Sequence, residues 1–374
     1  MKKEIFFYKT GQKKRILVAP LDWGLGHATR CIPIIKELME LDCEVYIVAD
    51  KKILGLLKKE FPNAVFLLYN GYNIQYSRDK KWLPLNLFFQ FPKIFFFIFK
   101  EKRWIKKIIR KNCIDAVISD NRFGMFSNEI PCIYITHQLA VKTGNILTDI
   151  IATKIHQYFI KKYTSCWVPD KKCNGLAGEL SHPKKIPSNV IYIGPLSRFN
   201  LMTNIEIIYD LLISISGPEP QRTIFENKIM EQIKSFPGKV FLLRGLPSEK
   251  NILSDFNSVR IKNHLPADEL NKIIQQSKTV ISRSGYTTIM DLQALHKKAI
   301  LIPTPGQKEQ EYLAKYLREK QYFFSVDQKK FLIEESIRKI DSFHFNSFYF
   351  DKNEFKKTIH EFVLSLNSGN FATQ

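Results

Sequence analysis

One stretch of the sequence places ionisable side chains directly after a glycine-containing turn. In ILVAPLDWGLGHATR, residues 16–30, an apolar run is followed by Gly24 and Gly26 and then by His27 and Arg30. Such a turn can cradle a phosphate with backbone amides, carry a catalytic base, or simply connect a strand to a helix. The residues of this stretch alone leave all three alternatives open.

A second stretch combines a glycine with hydroxyl residues at the predicted start of a helix. In TVISRSGYTTIMDLQALHKKAILIPTPGQKEQEYLAKYL, residues 279–317, Gly285 permits a bend after an apolar strand, and Thr287 and Thr288 open the next helix. Unpaired amides at a helix N-terminus, together with the helix dipole, bind anions. We therefore predict that a pyrophosphate binds at this turn.

Three polar side chains farther along this stretch suit the recognition of a sugar. Asp291 lies about one helical turn after Thr287, and a carboxylate there can accept hydrogen bonds from two ribose hydroxyls. Glu309 and Gln310 begin the following helix, where an acid and an amide can bind sugar hydroxyls. The alternative for this whole series is an N-terminal helix cap with solvated polar side chains.

Polar residues also follow two predicted strands in the first half of the chain. Asp120 and Asn121 follow AVIS, and His137 and Gln138 follow CIYIT. Ligands of parallel α/β sheets bind beyond the carboxyl ends of the strands, so these residues are candidates for ligand contacts. Loop capping is the competing interpretation for both pairs.

The elements that position these residues alternate between strand and helix in two series. Short β-branched or aromatic runs predict strands at residues 16–20, 44–49, 64–68, 116–119, 132–136 and 166–169, and then at residues 211–216, 239–244, 258–261, 279–284 and 299–303. Residues 30–41 predict a helix that tolerates Pro33 because this proline lies near its first turn. The pattern predicts two tandem Rossmann-like, doubly wound α/β domains.

A segment that contains proline and asparagine, at about residues 195–205, predicts the linker between the two domains. We therefore divide the chain into residues 1–198, residues 206–350, and a C-terminal helix and tail at residues 351–374. The final helix, KNEFKKTIHEFVLSL, is expected to pack back across the first domain.

The composition limits the classes of protein that the chain can represent. A length of 374 residues suggests two domains, and 45% hydrophobic with 25% charged residues is typical of a globular protein. The net charge of +21 favours phosphates, anionic lipid or nucleic acid as partners, but the lysine-rich usage of an AT-rich genome explains it equally well. The six cysteines form no CxxC pair and residues 1–15 lack the apolar core of a secretory signal, so we expect a cytosolic location.

Two classes of ligand find no motif in the sequence. The chain contains no D-x-D motif and no His/Cys cluster with the spacing of a zinc site, so we expect a reaction without a metal. The basic residues are not interleaved with a recognisable motif for reading RNA or DNA, so we expect no nucleic-acid partner.

Residues 82–111, WLPLNLFFQFPKIFFFIFKEKRWIKKIIRK, combine aromatic and basic side chains. Seven phenylalanines lie between Phe88 and Phe99, and seven Lys or Arg residues lie between Lys100 and Lys111. Polar residues and a proline interrupt the apolar run well short of the roughly 20 residues that span a membrane. An interfacial anchor on an anionic membrane surface fits this composition, and a pair of core helices with a solvated basic face is the alternative.

These motifs resemble a known family. SRSGYTTIMDLQALHKKAILIP followed by KEQEYLA is similar to the donor-binding half of the MurG-like inverting GT-B glycosyltransferases, which are related to glycosyltransferase family 28. The resemblance implies a GT-B architecture of two Rossmann-like domains with an interdomain cleft and a crossing C-terminal helix. It also implies a UDP-sugar donor, transfer of a hexose or N-acetylhexosamine to a lipid-linked or other membrane-associated acceptor, and no metal or other cofactor. The protein would then act in cell-envelope glycan biosynthesis, at the inner face of the cytoplasmic membrane.

The resemblance assigns roles to residues of the second domain. Those around the diphosphate are Ser284, Gly285, Thr287 and Thr288, and those of the matching glycine-rich loop, SISGPEPQRT, are Ser216 and Arg222. Asp291 would contact the ribose, where the family usually has glutamate, and Gln310 would contact the sugar. Two prolines in SISGPEPQRT replace the flexible glycine character of the family's loop.

The resemblance also assigns a role to the first glycine-containing turn. The corresponding histidine of the family lies close to the reacting sugar, so we predict that His27 is the general base and that Gly24 and Gly26 line the substrate. Asp22 would orient His27, contact the acceptor or cap the turn.

GLGHATRC is also similar to the PseG family of nucleotide-sugar hydrolases, so a hydrolase and a nucleotide-sugar-binding protein without turnover remain alternatives. The aromatic and basic residues at 82–111 favour transfer.

Overall fold

Strands and helices alternate along the computed structural model, which describes residues 13–22, 25–69, 83–247, 249, 251, 253–349, 351 and 353–368. The strands are β1 (Arg15–Pro20), β2 (Glu44–Ala49), β3 (Val65–Leu68), β4 (Ala116–Asp120), β5 (Cys132–Ile135), β6 (Ser165–Val168), β7 (Val190–Tyr192), β8 (Tyr209–Ser214), β9 (Val240–Leu243), β10 (Val259–Lys262), β11 (Ser277–Ser282), β12 (Ala299–Leu301) and β13 (Phe324–Ser325). The helices are α1 (Leu25–Glu40), α2 (Lys51–Glu60), α3 (Leu83–Asn112), α4 (Ile146–Ile160), α5 (Gln221–Ile233), α6 (Ala267–Gln275), α7 (Tyr286–Ala294), α8 (Lys308–Glu319), α9 (Ile333–Asp341) and α10 (Glu354–Ser368).

The first seven strands form one parallel sheet in the order β3-β2-β1-β4-β5-β6-β7. Its central strands are buried on both faces, which explains their continuous apolar sequences. Pro20 pairs with Asp120, and Asp120 pairs with Ile135. The carboxyl ends of β1, β4 and β5 therefore lie side by side.

The remaining six strands form a second parallel sheet in the order β10-β9-β8-β11-β12-β13. Ser282 at the end of β11 pairs with Ser214 of β8 and with Leu301 of β12, so the loops that follow these three strands meet at one edge. The prediction of two tandem doubly wound sheets is confirmed. The two-residue strand β13 was not predicted, because it is too short to form a pattern of its own.

Residues 193–208 connect the two sheets, and the C-terminal helix returns to the first domain. Lys356 Nζ of α10 lies 2.7 Å from Glu37 Oε2 of α1. The Phe362 ring meets Trp167 of β6 edge to face, with ring centroids 5.4 Å apart. The crossing helix thus ties the end of the chain to the first sheet, as predicted.

Helix α1 begins five residues earlier than predicted. The prediction placed Pro33 near the first turn, but the helix begins at Leu25 and Pro33 lies in its third turn. Proline has no amide hydrogen, so the Thr29 carbonyl one turn earlier loses its helical donor, and burial of this apolar helix face offsets that loss. The earlier start places His27 and Arg30 on the same face of the first turns of α1.

Candidate functional site

The first turn of α1 places His27 beside the carboxyl end of β4. His27 Nδ1 lies 2.9 Å from Arg30 Nη2 and 3.3 Å from Asp120 Oδ2. About a fifth of the His27 side chain, 22%, is exposed. The described residues provide no hydrogen-bond partner for Nε2, so the other edge of this imidazole remains available to a ligand.

Asp120 is fully buried beneath His27 and forms a two-bond ion pair with Arg30. Arg30 Nε donates to Asp120 Oδ2 at 2.8 Å, and Arg30 Nη2 donates to Asp120 Oδ1. Burial by itself raises the pKa of the Asp120 carboxyl, but the Arg30 charge and its hydrogen bonds oppose burial, and the pKa is lowered to about 2. The oxygens of Asp120 are thus occupied by residues of the first domain, and its contact with substrate stays a prediction.

His137 connects this cluster to the second domain. Its Nδ1 lies 3.1 Å from Arg30 Nη1, and its Nε2 lies 2.8 Å from Glu309 Oε1 at the start of α8. Gln138 Nε2 also donates to Glu309, and the Tyr286 ring stacks on His137 with centroids 4.2 Å apart. Burial lowers the pKa of His137, and His137 lowers the pKa of Glu309 despite the opposing effect of burial. Glu309 was predicted to bind sugar hydroxyls, and here it holds the two domains together.

The N-terminus of α7 faces the glycine turn of the first domain. Thr287 Oγ1 donates to the Gly26 carbonyl oxygen at 3.1 Å across the cleft. Among the described residues, no side chain caps α7, whose N-cap residue is Gly285, and a Cβ placed on Gly285 would meet no atom within 4 Å. The space beside the N-cap residue is thus open to the part of the chain that the structure describes, as an anion site at this helix N-terminus requires.

Two residues predicted to line this site form contacts within the second domain. Ser284 is fully buried, and its hydroxyl donates to the Gln310 carbonyl oxygen at 2.9 Å. The Gln310 side-chain oxygen accepts from the Thr304 amide at 3.0 Å. These bonds fix the start of α8 against the start of α7, so Ser284 acts on the site through the backbone.

Asp291 lies against the connection between the domains, and its contact with the ribose stays a prediction. The carboxylate is buried, and its Oδ1 accepts from Ser197 Oγ in the interdomain connection at 2.8 Å. Burial raises the pKa of Asp291 to about 6, although Arg198 and Ser197 oppose this shift. A ribose contact would require this carboxylate, which is one methylene shorter than the usual glutamate, to exchange partners.

Arg222 forms ion pairs within the second domain, and its contact with the diphosphate stays a prediction. Its guanidinium is buried in α5 and donates to Glu219 at 2.5 Å and to Glu226 at 3.0 Å. A guanidinium that two carboxylates already neutralise would have to break these contacts to bind a diphosphate. Ser216, in the same predicted loop, is exposed beside Gly217 at the end of β8.

Arg283, which precedes the α7 turn, was missed by the sequence analysis. Its side chain is buried, and it donates to the carbonyl oxygens of Ser216 and Gln221 and to Gln328 Oε1, at 3.5, 3.0 and 2.7 Å. Burial lowers its pKa to about 10. Arg283 therefore fixes the loop after β8 against α7. The sequence alone gives no sign of these contacts, because all three partners lie in segments far from Arg283 along the chain and two of them are backbone oxygens.

The remaining predicted residues are placed as follows. Gly24 lies outside the described residues. Asp22 Oδ1 is buried and has no hydrogen-bond partner among the described residues, and Asp120 rather than Asp22 contacts His27. Thr288 is half-buried in the first turn of α7. Within the described ranges, no group of three or more His, Cys, Asp or Glu residues could hold a metal ion.

Residues 83–112 form one helix, so the alternative of a helix pair is wrong. The helix is tied to the first domain by Glu101, which is buried and accepts from Arg122 Nε at 2.8 Å. Phe96 is 64% exposed, and Phe95 and Phe99 are more than half exposed. The exposed basic residues of α3 are Lys100, Lys102, Arg103, Lys106, Lys107, Arg110 and Lys111.

Helix α4 exposes apolar side chains that the sequence analysis missed. Ile146 and Leu147, in its first turn, are 77% and 71% exposed, and Ile150 and Ile151 are about half exposed. The far end of α4 packs on α3, where the Phe159 and Phe95 ring centroids are 6.4 Å apart. We call the following set the α3/α4 surface: the exposed apolar residues Phe95, Phe96, Phe99, Ile146, Leu147, Ile150 and Ile151, together with the exposed basic residues of α3. In the described part of the chain, no helix is long and apolar enough to cross a membrane.

Comparisons with known proteins agree with this architecture. Residues 226–363 match the model of the glycosyltransferase family 28 C-terminal domain. An uncharacterized glycosyltransferase of Methanosarcina acetivorans is 22% identical over 352 residues, which cover 87% of this chain and 89% of that protein.

Two solved structures have the same two-domain fold. Acinetobacter baumannii MurG superposes with a TM-score of 0.53 at 13% identity and covers 97% of each chain. The spinosyn rhamnosyltransferase SpnG in complex with thymidine diphosphate superposes with a TM-score of 0.60 at 12% identity, over 95% of this chain and 96% of that one. The predicted GT-B fold is confirmed, and the match to the glycosyltransferase family 28 C-terminal domain model lies mainly in the second domain of that fold.

Proposed function

We propose that the protein is an inverting glycosyltransferase that transfers a sugar from a nucleoside diphosphate sugar to a hydroxyl of a membrane-associated acceptor. The observation that carries this proposal is the contact of Gly26 with Thr287, at 3.1 Å, which sets His27 and the α7 N-terminus on facing walls of one cleft. Displacement at an anomeric carbon needs a base on one side and stabilisation of the leaving group on the other.

In the proposed donor site, the diphosphate binds at the N-terminus of α7. The open space at Gly285 and the uncapped first-turn amides support this assignment. The Thr304 hydroxyl is a second supporting feature, because it is buried near Gly217 and has no hydrogen-bond partner among the described residues. The amides and the helix dipole would stabilise the negative charge on the departing diphosphate without a metal. UDP follows from the family resemblance, and thymidine diphosphate, which SpnG binds, is the other nucleotide to test.

The proposed reaction is a single displacement with inversion. The acceptor oxygen attacks the anomeric carbon, the bond from that carbon to the diphosphate oxygen breaks with its electron pair, and His27 Nε2 takes the acceptor proton. Asp120, which is ionised because its pKa is about 2, would stabilise the resulting imidazolium from 3.3 Å.

The α3/α4 surface supports a lipid-linked acceptor and a peripheral position at the inner face of the cytoplasmic membrane. Apolar side chains that are half-exposed or more enter the headgroup boundary favourably, and each nearby Lys or Arg contributes about 1 kcal/mol on an anionic membrane. Lys154 of α4 and Lys161, the residue that caps the C-terminus of this helix, add exposed positive charge.

A nucleotide-sugar hydrolase remains the second candidate, because GLGHATRC resembles the corresponding motif of PseG and the same base could activate water. The two candidates differ in what the α3/α4 surface is for, since hydrolysis of a donor in solution requires no lipid contact.

A donor screen tests the proposal. The protein is incubated with a panel of UDP- and thymidine diphosphate sugars, and nucleotide release is measured with and without a membrane lipid extract. We expect release that depends on the extract with at least one donor. His27→Ala should lower turnover by about 100-fold or more with unchanged nucleotide affinity, because general-base catalysis acts in the transition state.

His344→Ala, at an exposed histidine after α9, is the matched control. Release that is equally fast without lipid would favour the hydrolase, and near-normal turnover of His27→Ala would remove the base assignment.

A further inference from the structure

Arg30 lies at the centre of the candidate site and contacts three ionisable side chains at once. Besides its two bonds to Asp120, its Nη2 lies 2.9 Å from His27 Nδ1 and its Nη1 lies 3.1 Å from His137 Nδ1. The Arg30 side chain is only 2% exposed. The buried Asp120–Arg30 pair therefore holds the guanidinium between the two imidazoles.

The chemistry of a guanidinium restricts the protonation of both rings. Arginine only donates hydrogen bonds, so an imidazole nitrogen that bonds to it must offer a lone pair. A neutral imidazole that accepts at Nδ1 carries its proton on Nε2. For His137, a second contact independently supports a proton on Nε2. This nitrogen lies 2.8 Å from the Glu309 carboxylate, which accepts hydrogen bonds and therefore requires a donor.

His27 Nδ1 has two neighbours with opposite requirements. Arg30 Nη2, at 2.9 Å, needs a lone pair on Nδ1, whereas Asp120 Oδ2, at 3.3 Å, needs a proton there. The shorter contact favours the tautomer with the proton on Nε2. In that tautomer Nε2 already carries a proton, so it cannot take a second one. Nε2 is the nitrogen of His27 that has no hydrogen-bond partner among the described residues.

We propose that Arg30 is a positioning residue that holds both His27 and His137 in the Nε2-protonated tautomer in the resting protein. His27 can act as a base at Nε2 only in the other tautomer, in which the proton lies on Nδ1 and faces Asp120. This consequence rests on the proposed function of His27, whereas the assignment of the tautomers does not. The other ionisable groups that face this cluster include the Cys31 thiol, 3.7 Å from Asp120 Oδ2, Glu309, the Tyr286 ring stacked on His137, and His156, which interacts electrostatically with His137.

The tautomers are measured directly by ¹⁵N NMR of the full-length protein with ¹⁵N-labelled histidine. Long-range couplings to the ring carbon protons distinguish a protonated from an unprotonated nitrogen, and the spectrum is recorded at pH 8, above the ordinary titration range of imidazole. His27→Ala and His137→Gln assign the two resonance sets. We expect both residues to show a protonated Nε2, and a protonated Nδ1 on His27 in the wild-type protein would overturn the proposal without any further variant.

Arg30→Gln tests the cause. With the guanidinium removed, we expect His27 to change to the Nδ1-protonated form that faces Asp120, whereas Arg110→Gln, at an exposed arginine of α3, should leave both tautomers unchanged. An unchanged His27 tautomer in a folded Arg30→Gln protein would contradict the proposal, whereas His137 should keep its Nε2 proton because Glu309 accepts from it. If that variant fails to fold because Asp120 lacks a counter-charge, the wild-type spectrum decides alone, since a protonated Nδ1 on His27 overturns the proposal.

The same variants have a catalytic consequence. Because the Nε2-protonated tautomer leaves His27 unable to activate water, we expect Arg30→Gln to raise the rate of donor hydrolysis measured without acceptor, and Arg30→Lys, which keeps the charge without the fork, to show an intermediate rate. A hydrolysis rate that is the same in all three proteins would contradict this role. If His27→Ala remains active, the proposed role of His27 as the base is wrong. The tautomers measured in the wild-type protein, and the role of Arg30 in holding them, are unaffected by that result.

Discussion

At the scale of single residues, the buried Asp120–Arg30 pair determines what His27 can do. An ion pair out of water stabilises a protein only when its geometry and its additional hydrogen bonds repay the desolvation of both charges. Here Asp120 accepts two bonds from Arg30 and lies 3.3 Å from His27. The pair therefore joins the carboxyl end of β4 to the first turns of α1, which carry the proposed base.

Asp120→Asn should lower both stability and turnover. The substitution leaves the Arg30 charge buried without a counter-charge, so we expect the free energy of unfolding to fall by about 3–5 kcal/mol in urea titrations. Arg110→Gln, which breaks the exposed pair with Glu129, should cost less than about 1 kcal/mol. Equal effects of the two substitutions would show that burial of the Asp120 pair is unimportant.

The same pair predicts a dependence on acid. The pKa of Asp120 is lowered on folding, so its contribution to stability is present above the unfolded pKa of about 4 and is lost as the pH falls through about 2. Urea titrations between these pH values should show a smaller loss of stability in Asp120→Asn than in the wild-type protein.

At the scale of elements, α7 is both the proposed anion site and a contact of the interdomain connection. Asp291, one turn after Thr287, has its pKa raised to about 6 by burial. A carboxyl whose pKa rises on folding contributes fully to stability below its unfolded pKa of about 4, and this contribution is lost as the pH rises through about 6. At neutral pH the buried, ionised Asp291 carboxylate therefore lowers the free energy of unfolding.

Asp291→Asn should abolish this loss. The amide oxygen can still accept from Ser197, so we expect the variant to be more stable than the wild-type protein at pH 8 by up to about 3 kcal/mol, and similar to it at pH 4. Urea unfolding at both pH values provides the measurement, and Asp268→Asn at the exposed start of α6 is the control. If the wild-type protein is more stable than the variant at pH 8, and by more than at pH 4, the burial argument is wrong.

Helices α3 and α4 offer a prediction about membranes. Replacing Ile146 and Ile150 with serine removes two exposed apolar side chains, so we expect the fold to remain intact and binding to anionic vesicles to fall by about tenfold or more. Reversal of Lys106 and Lys107 to glutamate should weaken the same binding and reduce its sensitivity to salt.

Vesicle co-sedimentation alongside a thermal melt measures both effects. The matched control is Leu364→Ser, which removes an equally exposed apolar side chain from α10. If this control releases the protein as effectively as the α4 variant, or if the wild-type protein does not bind anionic vesicles at low salt, the α3/α4 surface is not a membrane contact.

The local pattern of the sequence predicted the elements better than the contacts between them. Apolar runs specified the buried strands because a parallel strand that is covered on both faces must be apolar throughout, and Gly285 marked the turn before α7. The start of α1 was misplaced, because a proline is normally confined to the first turn and only tertiary burial allows it in the third. The bonds that Arg30 forms with residues about 100 positions away have no local periodicity from which they could be inferred.

At the scale of the whole molecule, the two domains share one cluster of buried apolar side chains and also meet through polar contacts around the cleft. Glu309 of α8 binds His137 and Gln138, Tyr286 donates to the Pro169 carbonyl oxygen at 2.8 Å, and these contacts lie beside the Gly26–Thr287 bond. Polar contacts between domains permit relative motion to the extent that the apolar contact between the domains does not prevent it. Glu309 contacts the first domain and also lies at the predicted sugar site. We therefore expect it to couple donor binding to the relative position of the two domains.

Glu309→Ala should therefore open the cleft as well as weaken donor binding. A hydrogen bond to a charged group contributes about 1.5–3 kcal/mol, so losing the His137 contact should shift the closed–open equilibrium by roughly 10- to 100-fold. We expect a larger radius of gyration in small-angle scattering and faster proteolysis of the residue 193–208 connection. Glu319→Ala, at the exposed end of the same helix, removes a carboxylate that pairs only within α8 among the described residues and should change neither quantity. If Glu309→Ala weakens donor binding while scattering and proteolysis match the control, Glu309 recognises the sugar without holding the domains together, and the proposed coupling is wrong.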